Sequence, residues 1–578
     1  MLVRLLRTRL APYRSWLGAV VAFQLVGVLA MLYLPTLNAR IIDEGIVTGD
    51  TGTIWRLGGV MLAVSFVQII CSVAAAWFGA RTATAFGRDV RRELFHRVGT
   101  FSAREVQDFG APSLITRTTN DVQQVQMLVV MTCLIAVSSP IMMVGGVIMA
   151  LREDVGLGWV LAVVVPALFA SVGFVISRMV PSFRAMQERI DEVNRVLREQ
   201  IGGIRVIRAF VREPHEKERF GVANDRLTDV AVTAGRWMAT MFPLAMLVVN
   251  VASVGVIWFG GHRVDSGEML PGALTAFLSY LMQILMSVMM GTFMLMQIPR
   301  SAVCGERIAE VLDTETSVRP PAEPVAPDPQ RRGWLELDDV SFAYPGAEEP
   351  VLAGVTFTGR PGTVVAVVGS TGAGKTTLVN LVPRLFDATG GSVRVAGVDV
   401  RDLDPDVLWA QVGLVPQQAY LFSGTVRSNL LHGRADATED EMWAALEVAQ
   451  ARDFVAALPV GLDAPVAQGG TNFSGGQRQR LAIARAGVRR PALYLFDDSF
   501  SALDLATDAR LRAALRPVTT DATVVVVAQR VSTIRDADLI LVLEDGRLVG
   551  HGTHDALLAD CATYQEIVTS QLTTEDAA

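Results

Sequence analysis

The residues Gly369, Ser370, Thr371, Gly372, Ala373, Gly374, Lys375 and Thr376 directly follow the apolar run Thr363-Val-Val-Ala-Val-Val and fit the pattern G-x-x-x-x-G-K-[ST]. The chemistry this spacing serves is phosphate binding. Glycines let backbone N–H groups close around an anion at the start of a helix. Lys375 brings a compact positive charge to the β- and γ-phosphates, and Thr376, followed by Thr377, offers a hydroxyl to Mg2+. Further on, Leu493-Tyr-Leu-Phe-Asp497 is an apolar run ending in a carboxylate, suited to hold Mg2+ through water. ATP and Mg2+ are the cofactors this pair of motifs calls for.

Between the two lies Asn472-Phe-Ser-Gly-Gly-Gln-Arg-Gln-Arg480. Ser474, Gly475, Gly476 and Gln477 open a helix and make a second anion site. This segment resembles the signature motif of ATP-binding cassette (ABC) proteins, whose order of phosphate loop, signature and acidic strand the chain follows. The resemblance implies that the second site serves the γ-phosphate of another nucleotide, across a dimer interface. It also implies roles for Tyr344 in Phe342-Ala-Tyr-Pro, stacking on adenine, and for Gln417 in Val415-Pro-Gln-Gln, touching Mg2+ and sensing the membrane domain. Ser501-Ala-Leu-Asp504 is similar to the loop that crosses the dimer interface.

Two positions depart from that pattern. Where hydrolytic members carry a glutamate that orients water, this chain has Asp498, one methylene shorter; where they carry a switch histidine, it has Gln529. A displacement of about 1 Å can cost on the order of a hundredfold in rate. An amide cannot titrate as imidazole does, although it can still hydrogen-bond a phosphate. The expected result is a site that binds ATP well and hydrolyses it poorly, beside an intact signature that completes a partner's site. That asymmetry points to a heterodimer with a second half-transporter that carries the glutamate and histidine.

The elements that must position these residues are of two kinds. The chain has 578 residues, 51% hydrophobic and 19% charged, which excludes a disordered or collagen-like chain. Residues 334–578 hold 19 basic and 31 acidic side chains, net −12; the remaining 32 basic and 27 acidic give residues 1–333 a net +5. This split suits a membrane half with basic edges and an acidic soluble half, not a nucleic-acid binder. The four cysteines show no metal-ligand spacing and read as reduced, structural thiols. Lys217 and Lys375 are the only lysines.

Six charge-free stretches lie between Arg14 and Arg40, Arg56 and Arg81, Asp121 and Arg152, Asp154 and Arg178, Arg236 and Arg263, and Glu268 and Arg300. Each exceeds the ~20 residues that a membrane-crossing helix needs. The first is too long for a cleavable signal peptide. Residues 1–14 read as an interfacial amphipathic helix. Arginine-rich loops at 81–127 and 178–236, set against the acidic connection 41–55, place both termini and both long loops in the cytoplasm of a plasma-membrane protein. Helical periodicity at 184–198 predicts that helices continue past the membrane. A Pro-rich linker at 320–329 then leads to short, uniformly apolar strands of a mostly parallel sheet.

The expected fold class is therefore an α-helical membrane domain of six helices with long cytoplasmic extensions, fused to an α/β P-loop ABC nucleotide-binding domain. The domains are 1–313 membrane, 314–333 linker and 334–578 nucleotide-binding. The membrane half resembles exporter-type ABC half-transporters. Phe109-Gly-Ala-Pro-Ser-Leu-Ile-Thr-Arg and Val206-Ile-Arg-Ala-Phe-Val-Arg-Glu are similar to its two coupling loops, the second docking on the partner through Phe210 between Arg208 and Arg212. The methionine-rich last stretch (Met282, Met286, Met289, Met290, Met294, Met296) could suit hydrophobic substrates or serve packing. Gln24, Gln68, Asn250 and Gln283 could contact a ligand or join helices. Export of drugs or lipids by alternating access leads; import of a siderophore through the same fold and an ATP-binding regulatory subunit remain open.

Overall fold

In hydrocarbon each backbone N–H and C=O must be paired within its own segment, so long uncharged runs become helices. The computed structural model describes residues 1–575, and the last three residues of the expected 334–578 domain lie outside the described residues. The six runs fall in helices Leu2–Ile46, Thr51–Gly99, Ala111–Glu153, Gly158–Gly202, Glu213–Asp265 and Pro271–Asp313. At 43 to 53 residues these are about twice the length a span requires. The surplus is polar, and some of its charges pair between helices. Arg226 meets Glu192 at 3.3 Å, and Arg219 meets both Glu216 and Glu199, which ties Gly158–Gly202 to Glu213–Asp265.

The last helix is the most enclosed, with Phe277, Tyr280 and Ile284 buried. The Tyr280 hydroxyl donates to Leu32 O at 2.8 Å and lies 2.7 Å from Thr36 Oγ1. Ser139 Oγ donates to Ser287 O at 2.7 Å. Gln24 Nε2 donates to Leu134 O at 3.3 Å, beside the π-turn Thr132–Ala136, so this glutamine joins helices. The methionines divide: Met289 is buried, while Met282, Met286 and Met290 leave an exposed stripe at helical spacing. All four cysteines are buried and unbridged.

Contacts divide the chain into two compact units. One comprises Met1–Gly99 and Pro112–Thr314; the other comprises Thr100–Ala111 together with the chain from Glu315 onward. Residues 315–333 are irregular apart from the short turn Pro329–Arg331, and Val325 N donates to Asp402 O at 2.8 Å.

The strands of the second unit are β1 Leu335–Phe342, β2 Leu352–Gly359, β3 Val364–Gly369, β4 Gly390–Val395, β5 Val398–Asp399, β6 Val412–Val415, β7 Gly424–Thr425, β8 Pro465–Val466, β9 Leu493–Asp497, β10 Thr523–Val527, β11 Leu539–Glu544 and β12 Arg547–Gly552. A six-stranded sheet has the order β12-β11-β3-β10-β9-β6, parallel except at β12. Its strands β9 and β10 are buried throughout, as expected for a sheet covered on both faces. A four-stranded antiparallel sheet, β2-β1-β4-β5, makes a second layer. The phosphate loop leaves β3 and the carboxylate ends β9, so β10 holds the two motifs side by side.

Candidate functional site

β3 ends at Gly369, where a Cβ would lie 2.1 Å from Leu543 O of the neighbouring strand. The chain then turns into the helix Lys375–Leu381 through Gly374, whose φ of +89° and 2.8 Å distance from a built Cβ to Val351 O both demand glycine. Ser370, Thr371 and Gly372 are exposed at the tip of the loop, and Ala373 is buried beneath them. Lys375 folds back over the loop, its Nζ donating to Gly369 O at 2.8 Å and Ser370 O at 2.7 Å. Burial holds its ammonium below the ordinary lysine value, against the pull of Asp498 and Asp497.

Thr376 Oγ1 donates to Asp497 Oδ1 at 3.0 Å. A hydroxyl and a carboxylate side by side suit Mg2+, which takes oxygen ligands and keeps several waters. Burial at the end of β9 raises the Asp497 carboxyl above its usual value, although Thr376 and Lys375 oppose the shift. Tyr344 stands edge-on to Phe342 and Phe386, with ring centroids 4.9 and 5.7 Å away, and its hydroxyl lies 3.2 Å from Thr377 Oγ1. The aromatic ring is thereby fixed beside the phosphate-loop helix.

Asp498 follows in a left-handed conformation, φ +46°, and its N–H donates to Val527 O at 3.0 Å. Two amides converge on its Oδ2: Gln417 Nε2 at 3.2 Å and Gln529 Nε2 at 2.9 Å. Burial raises this carboxyl too, with the Gln417 and Ser501 hydrogen bonds acting against it. Gln417, Asp498 and Gln529, which come from three separate loops, therefore form one cluster next to the Thr376–Asp497 pair.

The signature residues stand apart from that cluster. Ser474 caps the helix Gly475–Arg489: Gln477 N donates to Ser474 Oγ at 3.3 Å, and Ser474 N donates to Gln477 Oε1 at 2.9 Å. Ser474 and Gly475 are exposed, and among the described residues no hydrogen bond joins them to Lys375, Thr376, Asp497 or Asp498. Gly476 passes close to the Asp504 loop, a Cβ there lying 3.2 Å from Ala502 O.

Two further contacts escape the sequence analysis. Glu105, four residues ahead of Phe109, caps the helix Ala103–Phe109 by accepting from Ser102 N at 2.9 Å, and it also accepts from Ser317 N at 3.0 Å. The spacing Ser102-x-x-Glu105 is the signal that could have found it. Gln571, in the helix Ala562–Glu575, bonds the backbone on both sides of Arg530, and nothing in its sequence neighbourhood marks it.

The model of the ABC transporter transmembrane region matches residues 17–288, and the ABC transporter model matches residues 352–501. An uncharacterized ABC transporter ATP-binding protein of Mycobacterium tuberculosis is 52% identical over 574 residues, 99% of this chain and 98% of the relative. The chain belongs to the ABC transporter family. A second relative, an ATP-dependent lipid A-core flippase of Syntrophus aciditrophicus, is 30% identical over 554 residues, 95% of this chain and 90% of its own. A bacterial Atm1-family ABC exporter solved with ATP bound shares the fold, with a TM-score of 0.78 at 24% identity over 98% of each chain. Six apolar spans ahead of an α/β nucleotide-binding unit are thus the ABC exporter architecture in a multi-pass membrane protein.

Proposed function

We propose that this chain is one half of an ATP-driven exporter of hydrophobic or amphipathic small molecules, drugs or lipids, and that it works as a heterodimer. Its own Walker site binds ATP and Mg2+ but cleaves ATP slowly. Its partner is a half-transporter with glutamate and histidine at the matching positions, and both lie in the plasma membrane with the nucleotide-binding units in the cytoplasm. The observation that carries this reading is the Asp498 cluster. The carboxylate that must orient water is short and already engaged by two amides, while Lys375, Thr376 and Asp497 keep intact chemistry for phosphate and Mg2+.

Mg2+, when bound, neutralises charge on the phosphate oxygens. The chain's residues then divide the work. Backbone N–H groups at 369–374 and the Lys375 ammonium would hold the phosphates; Thr376, Gln417 and Asp497 would supply oxygen ligands to Mg2+, and Tyr344 would offer an aromatic face to adenine. Gln529 can donate to a phosphate oxygen but cannot carry a proton. Ser474 and Gly475, which are exposed, serve the partner's nucleotide together with Gly476 and Gln477. Closure of the two nucleotide-binding units then drives the spans from inward- to outward-facing through the coupling loops, with Phe210 exposed at the second. The exposed stripe Met282, Met286 and Met290 supports an apolar substrate.

The deciding experiment is site-resolved nucleotide trapping in the reconstituted pair. Uncleaved ATP retained on this chain, with turnover on the partner, is the expected result. Equal turnover at both sites, or full activity of this chain as a homodimer, rules the reading out.

A further inference from the structure

Gln529 is held twice. Its side chain is on Asp498, and its backbone is gripped from the far end of the chain. Gln571 Nε2 donates to Gln529 O at 2.7 Å, and Gln571 Oε1 accepts from Val531 N at 2.8 Å. One amide therefore pairs with alternate residues as a neighbouring strand would, using a donor and an acceptor together. The Val531 N–H needs such a partner. It opens the short helix Val531–Ile534, whose N-cap, Arg530, provides no side-chain cap. Arg530, framed by the two bonds, points its guanidinium at Leu503 O (3.3 Å) and Ser501 O (3.4 Å) of the loop that also carries Asp504.

We propose that Gln571 is a positioning residue for the nucleotide site: it fixes the backbone at 529–531 so that the Gln529 amide reaches Asp498. The inference rests on the reading of Gln529 as the switch position of an ATP site. Gln571 acts through Gln529 and touches no substrate. Two opposed bonds to one peptide segment restrict its rotation as well as its distance, which a single tether would not do. Nor is Gln571 needed to dock its own helix. Tyr564 is fully buried and Val568 nearly so, and the Tyr564 hydroxyl lies 2.7 Å from His554 Nδ1. Replacing Gln571 therefore leaves the helix in place and frees only the switch segment.

The test uses the full-length chain in lipid nanodiscs, with Mg·ATP as the probe. Gln571→Leu is expected to speed ATP release about five- to tenfold, the scale of one to two lost hydrogen bonds, with a melting temperature lowered by no more than a few degrees and faster amide exchange at Val531. Gln571→Glu supplies a readout that simple docking of the helix would not move. A protonated glutamate keeps both bonds, whereas an ionised one turns a second acceptor on Gln529 O. Release from this variant, relative to wild type at the same pH, should be slow in acid and fast above the ordinary glutamate value of about 4.3. Gln529→Ala serves as the reference. If it speeds release while both Gln571 variants behave as wild type, the positioning role is wrong and the site reading stands. If Gln529→Ala also leaves release unchanged, the site reading falls and takes the proposal with it.

Discussion

The Gln529 amide nitrogen lies 2.9 Å from Asp498 Oδ2, so the two positions proposed to slow ATP cleavage are bonded to each other. They form one altered unit. The left-handed backbone at Asp498 suits aspartate better than glutamate, so restoring the longer acid alone carries a small conformational cost. Asp498→Glu is expected to raise ATP cleavage at this chain's own site roughly tenfold, and Asp498→Glu with Gln529→His roughly a hundredfold. Single-turnover phosphate release with the partner's site disabled measures this, and ATP affinity should barely change.

Lys375 spans the phosphate loop, donating to two of its carbonyls. Lys375→Ala should weaken ATP binding roughly ten- to a hundredfold, the worth of a charged hydrogen-bonding partner. Lys375→Arg should not restore it, because a planar fork cannot fill the place of a compact ammonium. Equilibrium binding of labelled ATP distinguishes the three proteins. Thr376→Ala should instead raise the Mg2+ concentration needed for that binding.

Burial raises both Asp497 and Asp498, and this sets a pH dependence. The nucleotide-free fold binds protons in a window that begins near the ordinary aspartate value of about 3.9 and extends above it. Its stability therefore falls as pH rises through that window and both groups ionise. Mg2+ needs the ionised form, so Mg2+-dependent ATP binding should weaken on acidification before ordinary aspartates titrate. Thermal melts of the chain with and without Mg·ATP across this range should show opposite slopes.

Ser474 is exposed, and among the described residues its side chain bonds only within its own capping box. Ser474→Ala should cost about 1 kcal/mol locally as a lost helix cap. It should leave ATP binding at this chain's own site intact and depress hydrolysis on the partner. Site-resolved trapping separates the two effects; loss of binding on this chain would count against the trans assignment.

What could be read from the sequence was whatever repeats locally. Charge-free runs gave the spans, and apolar runs before Gly369 and Asp497 gave β3 and β9, because burial on both faces leaves no place for a polar residue. The phosphate loop is legible for the same reason: its chemistry lies within eight consecutive positions. The convergence of Gln417 on Asp498 joins residues 81 apart, and that of Gln571 on Val531 joins residues 40 apart. No periodicity encodes such pairings. The methionines show an intermediate case. Helical spacing put Met282, Met286 and Met290 on one face, but only packing shows that face to be uncovered while Met289 is not.

The bond from Ser317 N to Glu105 Oε1 spans 212 positions, and with it the stretch Thr100–Ala111 belongs to a unit whose remainder begins only at Glu315. During synthesis at roughly 5–20 residues per second, this stretch emerges on the order of 10–40 s before any of its bed exists. The nucleotide-binding unit therefore reaches its final form only after the spans on either side of the segment have been made. Order of manufacture thus acts as an assembly check: a soluble fragment started at the linker lacks a piece of its own surface, which only the membrane-borne part of the chain can return.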